Sequence, residues 1–186
     1  MSMSISPLHL PVDAELPQEV VDCLHSLPPI SIYRQLALAP QFLIPWADLV
    51  NAVYTSTISP RLREIAILRQ AACAKAHYEI HQHTQIALAN GLSSEEIQVI
   101  TGTESVTSLS PDENLVCKMS EQLERNATLD DETYAEARTQ FDERQFIEIV
   151  TIVSFYSAVG RFLNATRLEV EAGNPLQGLS SPAGKP

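Results

Sequence analysis

Residues 59–97 read SPRLREIAILRQAACAKAHYEIHQHTQIALANGLSSEEI, and this stretch decides the fold. Ser59-Pro60 is a helix start: Ser is a favoured N-cap, and Pro at N1 lacks only an N–H that would have no partner there. The residues that follow are rich in Ala, Ile and Leu and run to Asn90-Gly91. Asn-Gly is a C-terminal signal, because glycine takes a left-handed cap without steric cost. Ser93 with Glu96 three positions later makes a capping box that opens a short helix ending near Thr101-Gly102.

The same grammar extends outward in both directions. Upstream, Gln18–Leu27 is a helix stopped by Pro28-Pro29, and Ile32–Ala39 is a short one stopped by Pro40. Phe42–Thr55 follows, with Leu43, Trp46, Leu49, Val50 and Val53 on one apolar stripe. Downstream, Ser110-Pro111 opens a helix to about Asn126, Asp130 caps one reaching Phe141, and Asp142–Glu171 is the longest. No segment alternates strictly, so the chain reads as all-α. The last helix is apolar on more than one side, which implies burial against neighbouring subunits and hence a homo-oligomer. Residues 1–17 read as an extended N-terminal arm, 18–172 as a single helical domain, and 173–186, rich in Gly, Pro and Ser, as a disordered tail.

Composition narrows the function. The 186 residues carry 23 acids against 12 Lys and Arg, a formal net charge of −11. Phosphate binding needs clustered bases, so nucleic acid is an unsuitable partner. The acids concentrate between Asp112 and Glu148, a stretch that reads as solvated helix faces. Three widely spaced cysteines, Cys23, Cys73 and Cys117, make no disulfide framework and suit a reducing compartment. No uninterrupted apolar run approaches the ~20 residues needed to span a bilayer, and the N-terminus lacks a secretory pattern. The expectation is a cytoplasmic protein without a membrane partner.

Candidate chemistry lies in His77-Tyr78-Glu79-Ile80-His81-Gln82-His83. Glu79 and His83 are one turn apart, and a carboxylate beside an imidazole makes an acid/base couple near neutral pH. The same spacing also describes an ordinary surface pair. Cys73, His77 and His81 share another face, but an i, i+8 reach of about 12 Å is too long for three ligands to meet at one ion, so no metal site is expected. Glu64 lies 19 residues before His83. In one straight helix they would stand about 28 Å apart, and no Gly or Pro near Cys73–His77 forces a break. Spacing leaves open whether Glu64 is a first-turn acid or the chain folds back.

Together these residues resemble the carboxymuconolactone decarboxylase/AhpD-like family. RLREIAILR is similar to the family's R-x-R-E-L-x-I-L-R, and the later residues follow Y-E-W-x-x-H and A-x-x-x-G-L-S-x-E-E-I, with Ile80 in place of Trp. The resemblance covers roughly residues 30–171. It implies an all-α, AhpD-like helical bundle assembled as a dimer, trimer or hexamer, with a break between the Glu64 and His83 helices. Peroxidase members show E-x11-C-x2-C-x3-H, which falls here on Glu64, Ala76, Glu79 and His83. Both redox cysteines are absent, so a dithiol cycle has no dithiol.

Decarboxylase members work without metal or organic cofactor on a small unsaturated acid, and the resemblance implies the same here: no cofactor, and a small, carboxylate-bearing substrate. The catalytic set it points to is His83, Glu79, Glu64 and Tyr78, with Tyr78 donating to a developing enolate oxygen. Arg69 or Arg161 would hold the substrate carboxylate, and Tyr156 and Asn164 would line the pocket. The competing expectations are a residual antioxidant thiol at Cys73 and a non-catalytic helical binder.

Overall fold

The computed structural model describes residues 8–173 and 175–179, and among these it is all-helical, with no strand. A single 3-10 turn, Asp13–Glu15, interrupts the N-terminal arm, whose first seven residues lie outside the described ones. The helices are α1 (Gln18–Ser26), α2 (Ser31–Leu36), α3 (Pro40–Tyr54), α4 (Pro60–Ala74), α5 (His77–Ala89), α6 (Ser94–Thr101), α7 (Pro111–Asn126), α8 (Asp131–Gln140) and α9 (Glu143–Thr166).

Helix α4 is the axis of the molecule, packed against α5, α6, α7 and α9. Every residue from Leu62 to Ala71 is buried, so α4 has no polar stripe and its four polar residues must find partners inside. Arg63 Nε donates to Glu64 Oε1 at 3.0 Å, and its guanidinium lies 4.0 Å over the Tyr54 ring. Gln70 Nε2 donates to Glu124 Oε2 at 2.9 Å. Arg69, 1% exposed, donates to Glu121 Oε1 at 2.6 and 2.8 Å and to the carbonyls of Ile100, Gly102 and Glu104. At the N-terminus of α4, Arg61 reaches Glu96, Glu113 and the Gly91 carbonyl, clasping α4 to α6 and α7.

Helix starts follow their side-chain signals. Ser59 Oγ accepts from Leu62 N, and Ser93 and Glu96 close the capping box reciprocally at 3.2 and 2.7 Å. Helix ends are less obvious. The long stretch from Pro60 breaks at Lys75, whose φ of 54° and ψ of 38° are left-handed. Ala76 N–H returns to the Ala71 carbonyl at 2.9 Å and Lys75 N–H to Ala72 at 3.2 Å, the two bonds of a Schellman cap. Gly91, at φ 88°, makes the same two bonds at the end of α5. Arg167, at φ 54°, repeats them after Thr166, so α9 ends five residues earlier than the sequence-based expectation of Glu171.

Helix α9 is long and apolar enough to cross a membrane by length and composition, but 56% of its apolar window is buried inside the protein. Its apolarity serves the core: Ile149, Val153, Tyr156, Val159 and Leu163 face inward, and Phe155 and Phe162 pack on Trp46 of α3. Gly160 permits a close approach to the α4–α5 elbow; a Cβ there would meet Ala76 Cβ at 3.3 Å and Glu79 Oε2 at 3.4 Å. The expected disordered tail is corrected in part: Leu176 is fully buried against the core, while Asn174 and residues 180–186 lie outside the described ones.

Arg69 was a candidate substrate ligand, and the fold makes it a tie between α4, α7 and the α6–α7 loop. Arg69→Met should destabilise the protein by about 3–5 kcal/mol by leaving the buried Glu121 with only the half-exposed Arg125, 3.4 Å from its other oxygen. Chemical denaturation checks this; a variant of wild-type stability would contradict it.

Candidate functional site

The break at Lys75 turns α5 back along α4 and brings together two residues 19 apart in sequence. His83 Nδ1 and Glu64 Oε2 are 2.9 Å apart, both within the core. Glu64 Oε1 already accepts from Arg63. A carboxylate accepting from both neighbours leaves the proton on Nδ1 and the lone pair on Nε2. The His83 ring stands edge-on to Tyr156, with centroids 4.9 Å apart and planes at 90°. The orienting acid of His83 is therefore Glu64, which corrects the sequence expectation that Glu79 holds this ring.

Glu79 is instead alone. It is 2% exposed, and neither carboxyl oxygen has a hydrogen-bond partner. Burial pushes its carboxyl well above the usual carboxylate range, and the negative charge of Glu124 adds to the shift. Its surroundings therefore favour the protonated, uncharged carboxylic acid. His83 is 5% exposed, so the alternative of a solvent-facing Glu79/His83 surface pair does not hold.

Glu79 and His83 line one cavity of about 40 Å³, room for roughly three water molecules. Its walls are apolar where α2, α3 and α9 contribute Ile32, Val50, Val159 and Leu163, and Leu176 closes another side. Tyr33, Tyr78, Gln82 and Tyr156 supply the remaining polar lining. No Lys or Arg is among the described residues around it. Burial, and after it the negative charge of Glu64, holds the Tyr156 phenol well above its ordinary range, so it stays a neutral hydroxyl.

Of the eight residues expected at the site, four lie on this cavity: Tyr78, Glu79, His83 and Tyr156. Glu64 stands behind His83 as its hydrogen-bond partner. The other three are elsewhere. Arg69 is consumed by Glu121 and three carbonyls; Arg161 is exposed and reaches Glu124 at 3.3 Å; Asn164 is exposed and donates to the Ala74 carbonyl. The break also separates Cys73, at the end of α4, from His77 and His81 on α5, so the line of three ligand types drawn on one helix does not exist.

The sequence reading missed Gln82, Trp46, Tyr33 and Glu171. Gln82 sits one residue before His83 in a polar run and looks like helix surface, yet it is 3% exposed. Glu171 belonged to the expected last turn of α9; once Arg167 ends that helix, the chain turns back and Glu171 accepts from Tyr78 Oη, Gln82 Nε2 and Ser31 N.

Comparison with known proteins agrees with this architecture. Residues 40–121 match the model of the carboxymuconolactone decarboxylase family. The chain is similar in structure to an uncharacterized peroxidase-related protein from Silicibacter sp. TM1040, with a TM-score of 0.80 and 18% identity over 96% of this chain and 99% of that one. It is also similar to an uncharacterized peroxidase-related protein with an alkylhydroperoxidase AhpD core from Ralstonia eutropha JMP134, with a TM-score of 0.81 and 14% identity over 95% and 98%. A protein of unknown function from Agrobacterium tumefaciens matches with a TM-score of 0.67 and 15% identity over 75% and 97%. Identities this low establish fold alone. No curated protein matches the chain.

The unpaired acid has a thermodynamic consequence. Its folded pKa lies above its ordinary value of 4.5, so the fold favours the protonated form. Glu79's contribution is full below that ordinary value and is lost as pH rises toward the folded value. Glu79→Gln should flatten the fall in stability above about pH 5 and gain on the order of 1 kcal/mol, roughly 2–4 °C in Tm, at pH 8. Thermal unfolding of both proteins across pH checks this; parallel curves would contradict it.

Proposed function

We propose a cofactor-independent proton-transfer enzyme acting on a small organic acid, and the premise is a likeness: residues 40–121 match the carboxymuconolactone decarboxylase family, and the fold is similar to that of AhpD-like proteins. One observation carries the reading. A buried carboxyl without any partner, Glu79, faces the same cavity as an imidazole whose other nitrogen is held by Glu64. An unpaired buried acid costs stability, and such groups are retained where their protonation state is used.

The two groups have complementary roles. His83 Nε2 is the base, and Glu64 stabilises the imidazolium once His83 has taken a proton. Glu79, neutral, is the acid. In an isomerisation, His83 removes a proton from carbon next to a carbonyl and Glu79 delivers one to the far end of the enolate as the double bond moves. In a decarboxylation, the C–C bond to the carboxylate breaks, carbon dioxide leaves, and Glu79 protonates the carbon that receives the electron pair. Tyr156, a neutral hydroxyl edge-on to His83, can donate to the enolate oxygen. Low polarity around the cavity strengthens each of these interactions.

A thiol reaction has less support. Ala76 and Glu79 stand where the peroxidase pattern carries its cysteines. Burial pushes the Cys73 thiol up and the Cys117 thiol to about 12, which disfavours the reactive thiolate.

The experiment is a panel of small unsaturated acids and lactone acids followed by NMR in deuterium oxide, scoring consumption and incorporation of deuterium at carbon. His83→Gln should lower the rate by about 10²–10⁴-fold while leaving the fold intact, and Cys73→Ser should leave it unchanged. A rate that survives His83→Gln and disappears in Cys73→Ser would reverse the assignment. Binding without turnover at any pH would make the protein a binder.

A further inference from the structure

The carboxylate of Glu171 is held in an unusual way. Tyr78 Oη and the Ser31 main-chain N–H both donate to its Oε1, and Gln82 Nε2 donates to its Oε2 at 2.6 Å. Three donors from α2 and α5 therefore converge on two oxygens of one planar group, without a cation among them. Tyr78 and Gln82 also line the cavity that holds Glu79 and His83. Because a carboxylate only accepts, the Gln82 amide nitrogen must face Glu171. Its oxygen points away and is buried without a partner. Two buried polar groups on this cavity, Gln82 Oε1 and the Glu79 carboxyl, thus lack the partner that such groups almost always have.

The cavity also poses a size problem. At about 40 Å³ it is too small for an organic acid while Leu176 remains in its wall, and Glu171 holds the lining residues Tyr78 and Gln82 from behind. The stretch that carries Glu171 is lightly held. Arg167 has ended α9, and Glu169, Val170, Ala172 and Gly173 are exposed, leaving Glu171 as the inward polar contact of that stretch. Segments with few buried contacts open at low free-energy cost. The expected arginine clamp, meanwhile, is absent: Arg69 and Arg161 are engaged away from the cavity.

We propose that Ser31 N–H, Tyr78 Oη and Gln82 Nε2 form a recognition site for the carboxylate of a small organic acid, occupied at rest by the chain's own Glu171. The incoming carboxylate takes over the three donors, Glu171 leaves with its segment, and Leu176 withdraws from the cavity wall. The carbon skeleton then lies beside Glu79 and His83, and a hydroxyl or amine donor on it can satisfy Gln82 Oε1. A monocarboxylate fits better than a phosphate, since three neutral donors in a chain of net charge −11 compensate a dianion poorly. Binding of the carboxylate stands independently, while its consequence for turnover rests on the acid/base reading above.

The test uses the full chain with Glu171→Ala, sodium propionate as probe and propionamide as its neutral counterpart, at constant ionic strength. Glu171→Ala vacates the site and removes a tethered competitor whose effective concentration is on the order of millimolar. Propionate should raise the Tm of Glu171→Ala by about 2 °C or more and bind it roughly 10-fold tighter than the wild type. Propionamide should do neither. Adding Tyr78→Phe and Gln82→Leu should abolish the response. If Glu171→Ala does not fold alone, Glu171→Gln is read instead, and propionate must raise its Tm.

An equal response in wild type and variant, a response that survives loss of Tyr78 and Gln82, or no response in either variant would overturn the site. Failure here with His83-dependent exchange intact would remove the carboxylate site and leave the acid/base pair standing. Propionate binding that persists in Glu171→Ala with His83→Gln, where no acid exchanges even with wild type, would do the reverse.

Discussion

The hydrogen bond between Glu64 and His83 is the interaction on which the rest depends. It buries a carboxylate inside a helix that has no solvent-facing side, and that is tolerable only because His83 and Arg63 satisfy both oxygens. Bringing His83 there requires α4 to stop and the chain to reverse within two residues. Lys75 adopts a left-handed conformation to allow it, and the bonds from Ala76 to Ala71 and from Lys75 to Ala72 recover the main-chain hydrogen bonds that the turn would otherwise strand. Gly160 on α9 then lets the elbow sit close against the core, with Glu79 sealed beneath it.

The charged residues of this hairpin divide into two jobs. Arg61 and Arg69 are structural: each joins α4 to α7 and to α6 or the loop after it through paired carboxylates and main-chain carbonyls. Glu64, Glu79 and His83 surround the cavity or support it. This division separates the frame from the chemistry of the cavity. The Arg–Glu ties hold the frame, and Glu79 is an acid set against the cavity rather than against a cation. The family match over residues 40–121 and the AhpD-like neighbours are consistent with a shared frame that leaves the reaction to the cavity.

Much of the frame was legible in the sequence. Helix starts at Ser59, Ser93, Ser110, Asp130 and Asp142 were readable because a cap is local side-chain chemistry. Two helix ends were not, and for one reason: Lys75 and Arg167 take the left-handed cap that Gly91 announces openly. Nothing local marks a lysine or arginine for that role; tertiary packing imposes it. The break at Lys75 was implied only by the family resemblance, while spacing alone offered Glu79 as the nearer partner of His83. The end at Arg167 was missed, and a longer α9 hid Glu171, which the true turn carries back to Tyr78 and Gln82. The arginines were misplaced for a different reason, since spacing shows that a buried Arg matters but not which carboxylate claims it.

The proposed chemistry needs one cavity to hold an uncharged acid, Glu79, beside a base oriented by Glu64. The most direct measurement is carbon-13 NMR of glutamate-labelled protein across pH, with the Glu79 resonance assigned by its loss in Glu79→Gln. Glu79 should be protonated at pH 7 and titrate well above the exposed glutamates. A Glu79 carboxyl that ionises together with them, near its ordinary value of 4.5, would contradict it.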